Sequence, residues 1–425
     1  MALTRAQDPS RTLAYVTVNE TLSAVVESQL LTPASYLPTS WPKVWYAVTA
    51  VGQLVRPRWR ERVLETRRRA QSRYGVELQV IPAPPSRLGR CPGLDAWHAR
   101  QIARRLSSLE GALVVQGRGE RAAGLAQDAA RRIGARARSV FDCRGDGPYE
   151  EAARHVADLG DPAAWPLHVQ RGFERVSGAV DRAVGCDSIV CVSQHLADVL
   201  VTRHRAERSR ITVIPCGIDP ERFSGSSREL ARSRLGLADS FVVAYVGSLE
   251  WYQLPDQSLR LFRLIAEQVP QARFLALTGS PDRMRKAIQA AGLRGDRTTV
   301  LSLAPADVPA SLAAADLGLM PRARNPVNAV ASPLKMAEYM AAGVPVVTTP
   351  WVGDYSTMVE ELDVGVCVDL ERPDDDAARR MSRVLHGGAE EAESRRVRCR
   401  RLAEELSWPT LRRRLEGVYL QPADA

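Results

Sequence analysis

The chain is 425 residues long and 45% hydrophobic, enough to bury two cores, so two globular domains of about 200 residues each are expected. Its formal charge of +9 is mostly arginine, but no helix-turn-helix, zinc-finger or aromatic RNA-binding signature accompanies it, so nucleic acid is not an expected partner. Seven cysteines with no CxxC pair do not form a disulfide framework, and no apolar run has the length of a membrane span or signal core, which makes the reducing cytoplasm the expected compartment.

Residues 12–18 (TLAYVTV) predict a first buried strand, and 19–29 (NETLSAVVESQ) the loop and helix that follow. Ligand loops of parallel sheets lie at the carboxyl ends of strands, so Glu20, Ser23, Ser28 and Gln29 are candidate acceptor contacts, beside the plainer reading of a capped surface helix. A Trp- and Pro-containing stretch runs on to Val55. The segment 56–73 (RPRWRERVLETRRRAQSR) then puts a run of arginines on a helix. With Trp41, Trp45, Tyr46 and Trp59 beside it, this segment suits either an anionic membrane surface or a solvated basic face.

A second strand is predicted at 76–81, followed by helix, strand and helix at 95–106, 112–116 and 121–133. VQGRG at 115–119 and SVFDCRGDGPYE at 139–150 each place glycine and arginine directly after a strand, at neighbouring strand ends that would face one cleft. A helix at 166–184, a strand at 188–192 and a helix at 194–203 complete the first half. ITVIPCGIDPERF at 211–223 ends one sheet and turns the chain through Gly217 toward a second.

The second half repeats the alternation: helix 228–235, strand 241–246, helix 259–269, strand 273–278, helix 281–291, strand 299–302, short helix 308–314 and strand 315–320. Gly247 closes the strand at 241–246 and would let a diphosphate approach backbone N–H groups with no side chain in the way. The organising stretch follows at 322–349, RARNPVNAVASPLKMAEYMAAGVPVVTT. Ser332 is expected to cap a helix whose first position is Pro333, with Leu334, Ala337 and Ala341 on its core face and a strand at 344–347 beyond Gly343. Such a helix aims free N–H groups and the positive end of its dipole at an anion, and Lys335 adds a full charge. One turn on, Glu338 is a carboxylate suited to accept hydrogen bonds from two ribose hydroxyls. Phosphate and ribose together point to a nucleotide. Beyond a late strand at 365–369, Asp374, Asp375 and Asp376 fit an acidic helix start better than a metal site, and helices to residue 420 close the chain.

SPLKMAEYMAAGVPVV resembles the donor-site helix of retaining glycosyltransferases of family 4, ITVIPCGIDPERF resembles their interdomain linker, and FDCRGDGPYE resembles a strand-end segment of some members. The resemblance implies an α/β GT-B fold, in which two Rossmann-like doubly wound domains face across a cleft. It gives an acceptor-binding domain at 1–222, a nucleotide-sugar-binding domain at 223–398, and helices at 399–425 that cross back. The implied activity moves a sugar from a nucleotide-diphosphate donor to a glycan or lipid-linked acceptor with retention of configuration, and with neither cofactor nor divalent metal. The donor contacts so implied are Gly247, Ser248, Ser332, Pro333, Leu334, Lys335 and Glu338. Asp142, Arg144, Glu150 and Lys335 are the catalytic candidates, with Arg118 alongside, and Leu303 and Ala304 are approximate base contacts.

The chain departs from the family pattern in three places. Family members usually carry an arginine just after the glycine and a lysine a few residues on, where this chain has Ser248 and, approximately, Gln253; Arg322, Arg324 and Lys335 are the expected substitutes. The position eight residues before Glu338, where the family usually has a sugar-contacting glutamate, is Val330, so the family's donor-sugar selectivity does not carry over. The same departures fit a second reading, a binding or scaffolding protein that kept the fold and lost turnover.

Overall fold

The computed structural model describes residues 11–20, 23–84, 93–372 and 375–421. The chain divides into two compact units: one runs to Pro215 and takes up the chain again from Leu411, and the other is Cys216–Thr410. Residues 216–222 and 399–410 therefore pack with the second unit rather than with the first domain and a returning tail. Backbone hydrogen bonds account for this, since Ile218 N–H donates to Leu406 O at 2.9 Å and Trp408 N–H donates back to Ile218 O at 2.9 Å. Cys399, Leu402 and Leu406 complete that unit's core.

Among the described residues, the first unit's sheet has seven parallel strands: β1 (Arg11–Val18), β2 (Lys43–Ala50), β3 (Val76–Ala83), β4 (Ala112–Arg118), β5 (Ala137–Cys143), β6 (Ser188–Cys191) and β7 (Ile211–Val213), in the order β3-β2-β1-β4-β5-β6-β7. Near-continuous apolar runs such as TLAYVTV are what a parallel sheet covered on both faces requires. On one face Ala14, Val16, Val48 and Val115 pack under the helices Leu94–Ser107 and Glu120–Ile133.

Strand β2 replaces the expected irregular stretch before the arginine helix. It lies beside β1 with Tyr15 opposite Trp45, and Trp45 Nε1 donates to Thr17 Oγ1 at 2.8 Å. Trp41, Trp45 and Tyr46 are each 1% exposed. These aromatics belong to the core and have no surface to offer a membrane, which corrects that part of the sequence reading. The helix Pro57–Tyr74 does carry its arginines outward, with Arg58, Arg60, Arg62, Arg67, Arg68 and Arg73 exposed. It ends at Gly75, whose φ of 65° only glycine adopts readily.

The second unit's sheet has six parallel strands among the described residues: β8 (Phe241–Val246), β9 (Ala272–Leu277), β10 (Thr298–Leu301), β11 (Leu317–Met320), β12 (Val346–Thr348) and β13 (Gly365–Cys367), in the order β10-β9-β8-β11-β12-β13. The strand order reverses between β8 and β11, and at such a switch point the loops leaving the carboxyl ends diverge and open a crevice. Gly247 follows β8 and Arg322 follows β11 closely. The helix Leu334–Ala341 is pinned beneath them by Tyr339, whose buried hydroxyl accepts from Val246 N–H at 3.0 Å and lies 3.2 Å from the carbonyls of Ala244 and Leu319. Gly318 makes room for that ring, because a Cβ there would come within 2.5 Å of it. In the first unit the corresponding reversal lies between β1 and β4.

Candidate functional site

Each unit carries a polar cluster at the carboxyl ends of its strands. In the second unit it is built around Lys335, whose half-buried ammonium donates to Gln253 Oε1 and lies 5.3 Å from the centre of the Tyr245 ring. Gly247 passes directly beneath. Its φ is 130°, which side-chain-bearing residues rarely adopt, and a Cβ at this position would stand 2.6 Å from Lys335 Nζ and push that ammonium aside. Arg322 is 6% exposed, with its guanidinium 5.5 Å from the Tyr252 ring centre and its backbone tied to Thr349, whose Oγ1 accepts from Arg322 N–H at 3.0 Å.

The electrostatics of this cluster are unusual. Burial, and secondly the charge of Arg322, hold the Lys335 ammonium well below the usual lysine range, while Glu338 opposes the shift. Burial also pushes the Glu338 carboxyl up, against Arg222 and Lys335. Arg222 Nη1 lies 3.9 Å from Glu338 Oε1 and Arg222 Nη2 donates to Pro305 O at 2.7 Å, so the linker arginine bridges the helix to the loop after β10. Two neighbouring cations at the strand-order reversal, with a carboxylate one helical turn away, form a place for an anion joined to a hydroxyl-bearing group.

Several expectations change in detail. Ser332 does not cap the helix, which begins at Leu334 with Pro333 at the N-cap and no side-chain capping bond. The Ser332 hydroxyl instead accepts from Cys216 N–H at 3.0 Å and donates to Tyr355 Oη at 3.2 Å, long-range partners that a local motif does not disclose. Arg322 is brought to Lys335, but Arg324 is exposed and stacks 4.5 Å from the Trp351 ring centre. Ser248 and Gln253 supply no charge. Gln253 Nε2 donates to Ser248 Oγ at 2.7 Å and Tyr245 Oη donates to Ser248 O at 2.6 Å. Leu303 packs against the core, Ala304 is exposed, and Val330 is 3% exposed. Arg222 and Tyr245 were not singled out from sequence as site residues; the PERF segment of the linker was the available signal for Arg222.

In the first unit, neighbouring strand ends bring Asp142, Arg144 and Arg118 together, with Arg118 and Asp142 in register on β4 and β5. Arg144 Nε lies 2.6 Å from Asp142 Oδ1, and Arg118 Nη1 lies 4.0 Å from Asp142 Oδ2. Arg118 also donates from Nε to Glu20 at 3.1 Å and from Nη2 to Gln29 Oε1 at 2.8 Å, so two of the four candidates from the first loop join the cluster. The other two stay local: Ser23 Oγ accepts from Val26 N–H at 3.2 Å and Ser28 Oγ donates to Val25 O at 3.2 Å. Glu150 opens onto the same cavity of about 810 Å³, which Glu20, Arg118, Glu120 and Arg144 also line. Its carboxylate rests on Gly145, where a Cβ would meet Oε1 at 2.0 Å. The cavity walls and the neighbouring Glu120 raise the Glu150 carboxyl above its ordinary value. Among the described residues no group of three or more His, Cys, Asp or Glu side chains could hold a metal ion; the predicted acidic helix start at Asp374 lies outside the described residues, although Asp375 opens the helix Asp375–His386.

The fold has counterparts in known proteins. The model of glycosyl transferases group 1 matches residues 227–404, and that of Glycosyltransferase Family 4 matches residues 44–222. The chain is 31% identical over 229 residues to a D-inositol 3-phosphate glycosyltransferase of Salinispora arenicola, covering 50% of each protein. It is 30% identical over 166 residues to the putative teichuronic acid biosynthesis glycosyltransferase TuaH of Bacillus subtilis, covering 38% of this chain and 40% of that one. The chain thus spans about half the length of the curated relatives it matches. Among solved structures, Anabaena HepE in complex with UDP superposes with a TM-score of 0.65 at 16% identity, covering 96% of this chain and 98% of that one. WaaG, a glycosyltransferase involved in lipopolysaccharide biosynthesis, does so with a TM-score of 0.63 at 15% identity, covering 96% and 99%. With one model on each half and the GT-B architecture throughout, the chain belongs to the family 4 glycosyltransferases.

Proposed function

We propose that this protein transfers a sugar from a nucleoside-diphosphate sugar to a glycan or lipid-linked acceptor, with retention of anomeric configuration. The observation that carries this is the convergence of the Gly247 backbone, Lys335 and Arg322 at the β8/β11 reversal, with Glu338 one turn away. Breaking the bond from the anomeric carbon to the diphosphate builds negative charge on the leaving group, and preorganised cations and N–H groups stabilise it as it forms. Gly247 lets the backbone approach, the opening turn of Leu334–Ala341 contributes the N–H groups of Leu334 and Lys335, and Lys335 and Arg322 take the charge. Glu338 accepts from the ribose hydroxyls. The cluster of Asp142, Arg144 and Glu150 is assigned to the acceptor and to proton handling around it, Glu150 having a raised affinity for protons. The deciding experiment is a thermal-shift screen against UDP-, GDP-, ADP- and dTDP-sugars, followed by measurement of nucleotide release.

A second reading, a binding or scaffolding protein that holds the donor without turning it over, is favoured by one observation. Buried Val330 presents no carboxylate where the family places one. Donor binding without nucleotide release across a range of acceptors would select it.

We further propose that the enzyme works in the cytoplasm, peripherally at an anionic membrane. The exposed arginines of Pro57–Tyr74 support this, together with the exposed apolar residues Val51, Val55 and Leu64 beside them.

A further inference from the structure

We propose that Gln253 is a positioning residue for the donor site: it holds the Lys335 ammonium over Gly247 while the site is empty and releases it to a diphosphate oxygen on binding. This rests on the nucleotide-sugar reading above and adds a role that neither the site's cations nor its glycine performs.

Three features carry it. The first is orientation. Gln253 Nε2 donates to Ser248 Oγ at 2.7 Å, which fixes the amide so that its carbonyl oxygen, the acceptor end, faces Lys335 Nζ. Ser248 is in turn tied down through its own carbonyl, which accepts from Tyr245 Oη at 2.6 Å. The second is rigidity. Gln253 is 8% exposed and closes a short turn, its N–H donating to Glu250 O at 2.9 Å. The next residue, Leu254, has φ 46° and ψ 57°, a left-handed conformation that a leucine adopts only when its surroundings impose it. The acceptor is therefore delivered by a constrained loop, not by a freely rotating side chain.

The third is charge. A lysine beside a buried arginine needs a partner in the empty site, and a carboxylate would be the stronger one. A carboxylate, however, would cancel the charge that an incoming anion must meet. A neutral amide accepts the lysine's hydrogen bond and leaves both cations uncompensated. The choice of lysine is itself informative, because only Lys43, Lys286 and Lys335 are lysines among the 58 basic residues. An ammonium is compact and its three donors rotate, so it can exchange an amide oxygen for a phosphate oxygen without moving its stem, whereas a guanidinium fork is set for one geometry.

The scarcity of lysine also makes the test direct. Protein labelled with ¹³C at lysine Cε should give three signals, one of them removed by Lys335→Arg. Titration of the Lys335 signal and calorimetric affinity for UDP, with ADP, GDP and dTDP in parallel, are measured for the parent, Gln253→Glu and Gln253→Met. Gln253→Met removes the acceptor, so the Lys335 midpoint falls below the parent's and diphosphate affinity weakens by about 5- to 10-fold. Gln253→Glu raises the midpoint above the parent's and weakens affinity by about 30-fold or more, because its carboxylate occupies the anion's place. The glutamate is isosteric, so it decides the matter should the methionine variant fail to fold. Coincident midpoints, or affinities within about twofold of the parent in both variants, overturn the inference while leaving the donor site in place. A parent that binds none of the four diphosphates removes the donor reading and the inference together.

Discussion

Glu338 and Lys335 sit one turn apart on the same helix, and burial drives their proton affinities toward each other: the carboxyl upward, the ammonium downward. The charged pair that donor binding needs therefore exists over a narrower pH span than two exposed groups would allow. A raised carboxyl is already protonated at a pH where an ordinary glutamate is still charged, so affinity should begin to fall on the acid side above the usual carboxylate range. A lowered ammonium is already neutral at a pH where an ordinary lysine is charged, so affinity should fall on the alkaline side below the usual lysine range. Calorimetric affinity for a bound nucleoside diphosphate measured across pH tests both limbs, and a flat profile from pH 5 to 9 would contradict them. Glu338→Ala should cost about 2–3 kcal/mol of donor affinity through the lost ribose acceptor while the fold melts normally. Lys335→Ala and Arg322→Ala should each lower kcat about 10- to 1000-fold, and Gly247→Ala should weaken donor binding by at least about tenfold, since its methyl meets the lysine.

At the scale of elements, the arginine helix and the strand before it now separate into different roles. Trp41 and Trp45 are core residues, so Trp45→Ala should destabilise the protein by about 3–5 kcal/mol and leave vesicle binding per folded molecule unchanged. Charge reversal at the exposed Arg58, Arg60 and Arg68 should do the opposite, sparing the melting temperature and weakening cosedimentation with anionic vesicles. Each arginine near such a surface contributes about 1 kcal/mol, and the binding should vanish near molar salt. A protein that ignores anionic vesicles at low salt has only a solvated basic face, and a soluble acceptor then becomes the better assignment. The strand β2 was not legible because KVWYAVTA directly follows LPTSWP, whose Pro, Ser and Thr read as loop; what makes it a strand is its pairing with β1 and β3, a tertiary fact. The strand Phe241–Val246 and the helix Arg228–Leu235, by contrast, were legible to the residue, the first as a pure apolar run ended by glycine and the second as a helix with a serine cap and a glycine stop.

For the whole molecule, the alternation of strand and helix on both sides of a Pro- and Gly-containing linker was enough to read two parallel-sheet units. The site was legible as far as short motifs reach. Gly247, Lys335 and Glu338 could be named because a glycine after a strand and a charged helix opening have local causes. Gln253 and Arg222 could not be given roles, since their partners lie 82 and 116 residues away in the sequence. The same limit explains Ser332, which looks like a cap and serves as a tertiary strut. An enzyme whose leaving-group charge is met by Lys335, Arg322 and backbone should keep its rate in EDTA, and a rate that collapses on chelation and returns with Mg²⁺ or Mn²⁺ would require a different charge partner. The central claim is that these residues bind and activate a nucleotide sugar. It is tested most directly by nucleoside diphosphate release from a panel of UDP-, GDP-, ADP- and dTDP-sugars, with glycan and lipid-linked acceptors, by the parent, Lys335→Ala and Glu338→Ala. The account predicts acceptor-dependent release from one donor class by the parent and a loss of about tenfold or more in both variants; release that is absent from every donor, or equal in all three proteins, would contradict it.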